Sequence, residues 1–126
     1  MAKSAYISRI LDAELGELVR SVPAIVLEGP KGVGKTESAT RLAETVRRLD
    51  VPAERSVVAA DPQLALEGRR PLLIDEWQRF PPVWDAVKRA VDDGATPGSF
   101  LLTGSATPGD SATHSGAGRI VTLRMR

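Results

Sequence analysis

The chain has no cysteine, a single histidine, and only two tryptophans, two phenylalanines and one tyrosine among its 126 residues. Without thiols it forms neither disulfides nor cysteine-based metal sites, so its fold must rest on core burial. It also lacks a surplus of either charge. Its 17 basic and 16 acidic residues leave a formal net charge of +1, which gives no general pull toward nucleic acid or membrane. The basic pairs Arg47-Arg48 and Arg69-Arg70 are scattered and not interleaved with aromatics, so they read as solvated faces. No stretch resembles a secretory apolar region or a membrane span, and the cytoplasm is the expected location. Ile7, Ile10, Leu11, Leu15 and Leu18 have the spacing of an amphipathic helix over about 7–20, and Asp12, Glu14 and Glu17 within it argue against a mitochondrial leader.

What is present is concentrated in one octapeptide. Residues 29–36 read Gly-Pro-Lys-Gly-Val-Gly-Lys-Thr, a full match to the phosphate-binding loop pattern G-x-x-x-x-G-K-[ST]. The apolar run Pro23 to Leu27 before it predicts a buried strand, and the segment after it has helical periodicity, which is the setting the pattern requires. Gly29, Gly32 and Gly34 let successive amides turn inward around a phosphate, and the start of the helix adds positive field. The expected nucleotide-binding set is Gly29, Pro30, Lys31, Gly32, Val33, Gly34, Lys35, Thr36 and Glu37. Within it Lys35 reaches the β- and γ-phosphates, and the Thr36 hydroxyl enters the shell of a bridging Mg²⁺.

A second apolar strand, Pro71-Leu72-Leu73-Ile74, ends in Asp75 and Glu76 and looks like a Walker B segment. In a parallel sheet the carboxyl end of a strand faces the ligand crevice, so Asp75 is expected to hold Mg²⁺ through a water. Glu76 is then placed to orient and deprotonate the water that attacks the γ-phosphate. A third apolar run, Ser99 to Leu102, ends in Thr103, Gly104 and Ser105, and either Thr103 or Ser105 can serve as a polar sensor depending on strand register. The small, polar segment 104–118 reads as a loop, with His114 as an exposed loop imidazole. Arg119, where that loop ends, is a candidate arginine finger for a neighbouring copy of the chain. Trp77, Phe80 and Trp84 read as packing residues beside a helix that buries Val83, Val87, Ala90 and Val91.

The element order that follows is a helix over 7–20, a strand over 23–28, and a helix from the phosphate loop to about 49 with Ala39, Leu42, Ala43, Val46 and Leu49 as its stripe. Next come a short strand over 56–60, a small helix over 62–66, the Walker B strand, a helix opened by Pro81-Pro82 and ended by Gly94, the sensor strand, and a last strand from Ile120 to about Met125. Five strands alternating with helices predict a parallel three-layer α/β fold. The chain is read as one domain, with 1–21 as an N-terminal helix and 22–126 as the α/β core.

These stretches, together with Leu102-Thr103-Gly104-Ser105-Ala106 and Ser115-Gly116-Ala117-Gly118-Arg119, resemble the N-terminal P-loop ATPase core of a prokaryotic AAA-type family whose members carry a nuclease-like C-terminal domain of unknown function. The resemblance implies strand order 5-1-4-3-2, ATP rather than GTP, Mg²⁺, Lys35 and Thr36 on the triphosphate and metal, Asp75 and Glu76 as Walker B, and a sensor near Ser105. Lys35, Glu76, Ser105 and Arg119 are thus the expected catalytic set. It also implies a helical lid and a C-terminal domain, neither of which follows Arg126 here, so the chain is expected to be a fragment with weak nucleotide affinity and little turnover alone. The expected activity is ATP hydrolysis that drives or regulates an attached domain or partner, with homo-oligomerisation through Arg119. The alternatives are a nucleotide-dependent switch with little catalysis and a small-molecule kinase.

Overall fold

A computed structural model describes residues 12–29, 35–105 and 119–124. A helix over 12–18, α1, leads into strand β1 (Ala24–Glu28). Helix α2 (Lys35–Leu42), strand β2 (Thr45–Arg48), helix α3 (Pro52–Ala60) and a 3-10 turn (Pro62–Leu66) follow. Strand β3 (Leu72–Asp75), a second 3-10 turn (Trp77–Arg79), helix α4 (Pro82–Asp92), β4 (Phe100–Gly104) and β5 (Ile120–Arg124) complete the order.

All strand pairs are parallel, in the order β2-β3-β4-β1-β5, which is the expected 5-1-4-3-2 read from the other edge. A central strand buried on both faces is a near-continuous apolar run, and β1, β3 and β4 are buried throughout, with polar residues only at or near their carboxyl ends. Alternate residues feed two separate cores. Ala24, Val26, Leu72, Ile74, Phe100 and Leu102 pack on the side of α3 and α4, while Ile25, Leu27, Leu73 and Leu101 pack with Leu15 of α1 and Ala39 of α2. The result is three layers with the sheet in the middle.

Two expectations are corrected on the β2 side. Helix α2 stops at Leu42, not near 49, and the strand expected over 56–60 is helix α3. The stripe misled because Val46, on β2, packs in the same core as Ala39, Leu42 and Ala43, so a strand residue continued a helical spacing by coincidence. What ends the helix is pairing. The amides of Glu44 and Thr45 both donate to the Pro71 carbonyl, at 2.8 and 3.4 Å, which starts the ladder with β3. The β-branched Val57 and Val58 suggested a strand, but Pro52 at the first helical turn and Pro62 after the last residue bracket a helix, and only Val58 of that pair is buried.

Elsewhere the expected elements stand. Helix α4 buries Val83, Ala86, Val87 and Val91, with Ala90 partly buried. It ends at Gly94, whose φ of 99° is open to glycine. Trp77 and Trp84 pack with ring centroids 5.4 Å apart, and Phe80 joins them against the core, as packing residues should. His114 and the rest of the expected loop from 106 onward lie outside the described residues, as do residues 7–11 of the expected N-terminal helix.

Candidate functional site

Successive strands run from β1 across to β2, β3 and β4, whereas β5 lies on the other side of β1. Such a change of direction opens a crevice at the carboxyl ends of the neighbouring strands. The phosphate-loop sequence leaves β1 at that place. Its base is tied to the next strand, since the Gly29 amide donates to the Gly104 carbonyl at 3.3 Å. Pro30, Lys31, Gly32, Val33 and Gly34 lie outside the described residues. Lys35 is the first residue of α2, and its side chain is likewise outside the description. Glu37 follows in the first turn, where its carboxylate pairs with Arg41 at 3.0 Å on the exposed side of the helix.

Asp75, at the end of β3, is 4 % exposed, and a carboxylate that deep must be hydrogen-bonded. Two hydroxyls converge on its Oδ1: Thr36 of α2 donates at 2.9 Å and Thr103 of β4 at 2.6 Å. Its Oδ2 faces the Arg48 guanidinium, 4.0 Å away at the end of β2. The site is therefore assembled from one helix N-terminus and three adjacent strands. A buried carboxylate in contact with the loop threonine is a donor pair that suits Mg²⁺, which takes one or two protein ligands and fills its octahedral shell with phosphate oxygens and water.

Glu76 departs from strand geometry at φ 57° and ψ 51°, a left-handed conformation uncommon in a residue with a side chain. It is half-buried, and its amide donates to Thr103 Oγ1 at 3.4 Å. The turn it opens closes over β4, where a Cβ on Gly104 would lie 3.0 Å from both Trp77 Nε1 and Gln78 Oε1. Ser105 follows Gly104, and its buried Oγ has no hydrogen-bond partner among the described residues. The Oγ of Ser38, in the first turn of α2, is in the same state. Leaving a buried hydroxyl unsatisfied costs about 1–3 kcal/mol, a debt that a bound oxyanion or water could remove.

Of the residues expected at the site, Thr36, Asp75, Glu76 and Thr103 are brought together, and Ser105 stands at the adjoining strand end. Arg119 is not brought there. It precedes β5 at the opposite edge of the sheet, roughly 16 Å from the carboxyl edge along the strand, and its Nη1 donates to the Val91 carbonyl at 3.2 Å. Two features escaped sequence reasoning. Arg48 was read as part of a helix and a solvated face, although placing β2 correctly puts it in register beside Asp75. Glu28 was not singled out as an ionisable group, yet it ends β1 at 5 % exposure, 3.5 Å from Arg124 Nε on β5.

Residues 21–126 match the family model described as an AAA domain. The chain belongs to this family. AAA domains are nucleotide-binding, ATPase-like modules, and the parallel order found here agrees with that P-loop class. Among similar curated proteins are the uncharacterized protein Rv2008c of Mycobacterium tuberculosis and the uncharacterized protein Mb2031c of Mycobacterium bovis. Each is 36 % identical over 119 residues, covering 90 % of this chain and 27 % of the relative. The AAA domain thus spans about a quarter of the length of these relatives. Among the described residues no helix is long and apolar enough to cross a membrane.

Proposed function

We propose that this AAA domain binds ATP with Mg²⁺ and hydrolyses it to drive or regulate an attached domain or a partner in the cytoplasm. The observation that carries the reading is the convergence of Thr36 and Thr103 on the buried Asp75 at the N-terminus of α2. The amides of residues 31–37 and the Lys35 ammonium are assigned to the phosphates, with Thr36 and Asp75 holding the metal side. Bound Mg²⁺ would supply charge neutralisation across the β- and γ-phosphates. Glu76 takes the proton of the attacking water, and Ser105 Oγ, without a partner among the described residues, reports on the γ-phosphate.

Arg119 favours a second reading for the isolated chain. At the far edge of the sheet it can complete only a neighbouring subunit's site, so a lone chain would bind nucleotide and act as a switch with little turnover. Mg-ATP hydrolysis measured over a wide range of protein concentration, with Glu76→Gln as control, separates the two. Specific activity that rises with concentration and falls about 10²- to 10⁴-fold in Glu76→Gln, with binding retained, is expected of a hydrolase assembled between copies. Activity equal to that of the mutant at every concentration overturns the hydrolase reading for this chain and leaves the switch.

A further inference from the structure

The hydroxyl of Thr103 touches both members of the Asp75-Glu76 pair. Thr103 is fully buried, and its Oγ1 has one proton, which goes to Asp75 Oδ1 at 2.6 Å, while a lone pair of the same oxygen accepts the Glu76 amide at 3.4 Å. Both directions are dictated by chemistry, since an ionised carboxylate only accepts and an amide N–H only donates. Asp75 Oδ1 also accepts from Thr36. A continuous chain of hydrogen bonds therefore runs from the phosphate-loop threonine through Asp75 and Thr103 to the main chain of Glu76.

We propose that Thr103 is a positioning residue that passes the state of the Thr36–Asp75 pair to the left-handed turn at Glu76, and that it is not the sensor of the γ-phosphate. Its hydroxyl is engaged by two protein partners, whereas Ser105 Oγ has none among the described residues. The proposal rests on reading this site as the Mg-nucleotide site. A carboxylate that turns toward a hydrated cation must move Oδ1, and the Thr103 hydroxyl bonded to it has to follow. The Glu76 amide hangs on that same oxygen. A left-handed non-glycine residue persists only where its surroundings hold it, so a change in this one acceptor bears directly on where the Glu76 carboxylate stands. The fit of the Trp77–Arg79 turn over Gly104 keeps the rest of the turn in place.

Amide hydrogen exchange on the whole chain, resolved by residue, tests this. Thr103→Val keeps the branched shape and removes the hydroxyl, and Thr103→Ser restores it. Without nucleotide, exchange at the Glu76 amide should quicken about five- to tenfold in Thr103→Val, stay within about twofold of the parent in Thr103→Ser, and leave Val26 and Val87 unchanged. Mg-ADP should slow Glu76 exchange in the parent and in Thr103→Ser, but not in Thr103→Val. Equal Glu76 exchange in parent and Thr103→Val without nucleotide, or equal slowing by Mg-ADP in both, overturns the proposal. If Mg-ADP alters no amide of the parent, the nucleotide reading of the site is what fails, and the comparison without nucleotide still decides whether Thr103 holds the turn. Should Thr103→Val not fold, Thr103→Ala, which adds no bulk, takes its place in the same comparison.

Discussion

The two edges of the sheet are built to different standards. At the amino edge the backbone is closed: Phe100 donates to Pro23, Leu72 to Ser99 and Gly98 to Val22, each at 2.9 Å, and the Ser99 hydroxyl donates to the Thr96 carbonyl at 2.7 Å. Arg70 lies over the Phe100 ring at 4.5 Å, a contact that ties a surface cation to the core. At the carboxyl edge two carboxylates are buried, Glu76 is left-handed, and Ser105 Oγ and Ser38 Oγ find no partner among the described residues. Main-chain hydrogen bonds close one end, while buried carboxylates and a left-handed glutamate gather at the other. Unsatisfied polarity and a left-handed residue with a side chain gather at the same edge as the candidate site, an agreement reached without reference to any motif.

Substitutions should separate accordingly. The largest effect expected is the loss of hydrolysis in Glu76→Gln, with little change in folding. Its counterpart at the amino edge is Phe100→Ala, which empties a fully buried aromatic site shared with Val26 and Leu102. The expected loss is about 3–5 kcal/mol, much of the stability of a domain this size, read as a lowered midpoint in urea unfolding. A Phe100→Ala chain as stable as the parent would contradict the packing described here.

Asp75→Asn sharpens the contrast because its two effects should oppose one another. The amide keeps an acceptor for Thr36 and Thr103 and removes a buried charge whose nearest described cation, Arg48, stands 4.0 Å away and half exposed. Charges buried with incomplete compensation are weak contributors to stability. Asp75→Asn should therefore unfold at the same temperature as the parent or a few degrees higher, while Mg-dependent hydrolysis falls at least about tenfold. Thermal unfolding beside a magnesium titration of activity checks both halves, and a clear loss of stability would mean that the Asp75 charge serves the fold.

How far the sequence disclosed this arrangement follows the same division. Strands β1, β3 and β4 were legible because burial on both faces demands apolar runs, and Gly104, Asp75 and Gly29 mark their ends. The edge strand β2 was not. Thr-Val-Arg-Arg carries charge because it is only half-buried, so nothing in it resembles a core strand, and its identity comes from pairing with β3. Misplacing it hid Arg48. The loop pattern and the strand-end carboxylate put Thr36 and Asp75 on the metal side of one site, Asp75 through a water, but the direct hydrogen bond between them is what the structure adds. Nor was it legible that the Thr103 hydroxyl bonds Asp75, because the register that pairs those two strand ends is not written in either run. The left-handed turn at Glu76 has no signature either, since a glutamate carries no preference for it.

Arg119 gives the smallest expected effect on folding and the most direct test of whether the two edges ever meet. Its guanidinium rests on the Val91 carbonyl near the end of α4, where a cation is favourable but largely screened, so Arg119→Ala should lower stability by less than about 1 kcal/mol. A purely structural arginine would end there. If instead the amino edge of one copy completes the carboxyl edge of another, Arg119→Ala should lose activity at every concentration at which the parent is active. Mixing it with Glu76→Gln should then restore a part of that activity. The first mutant retains an intact base but lacks the arginine, the second retains the arginine but lacks the base, and only a site shared between copies recovers one of each. No recovery across a range of mixing ratios, with both variants folded, would confine Arg119 to its hydrogen bond with Val91.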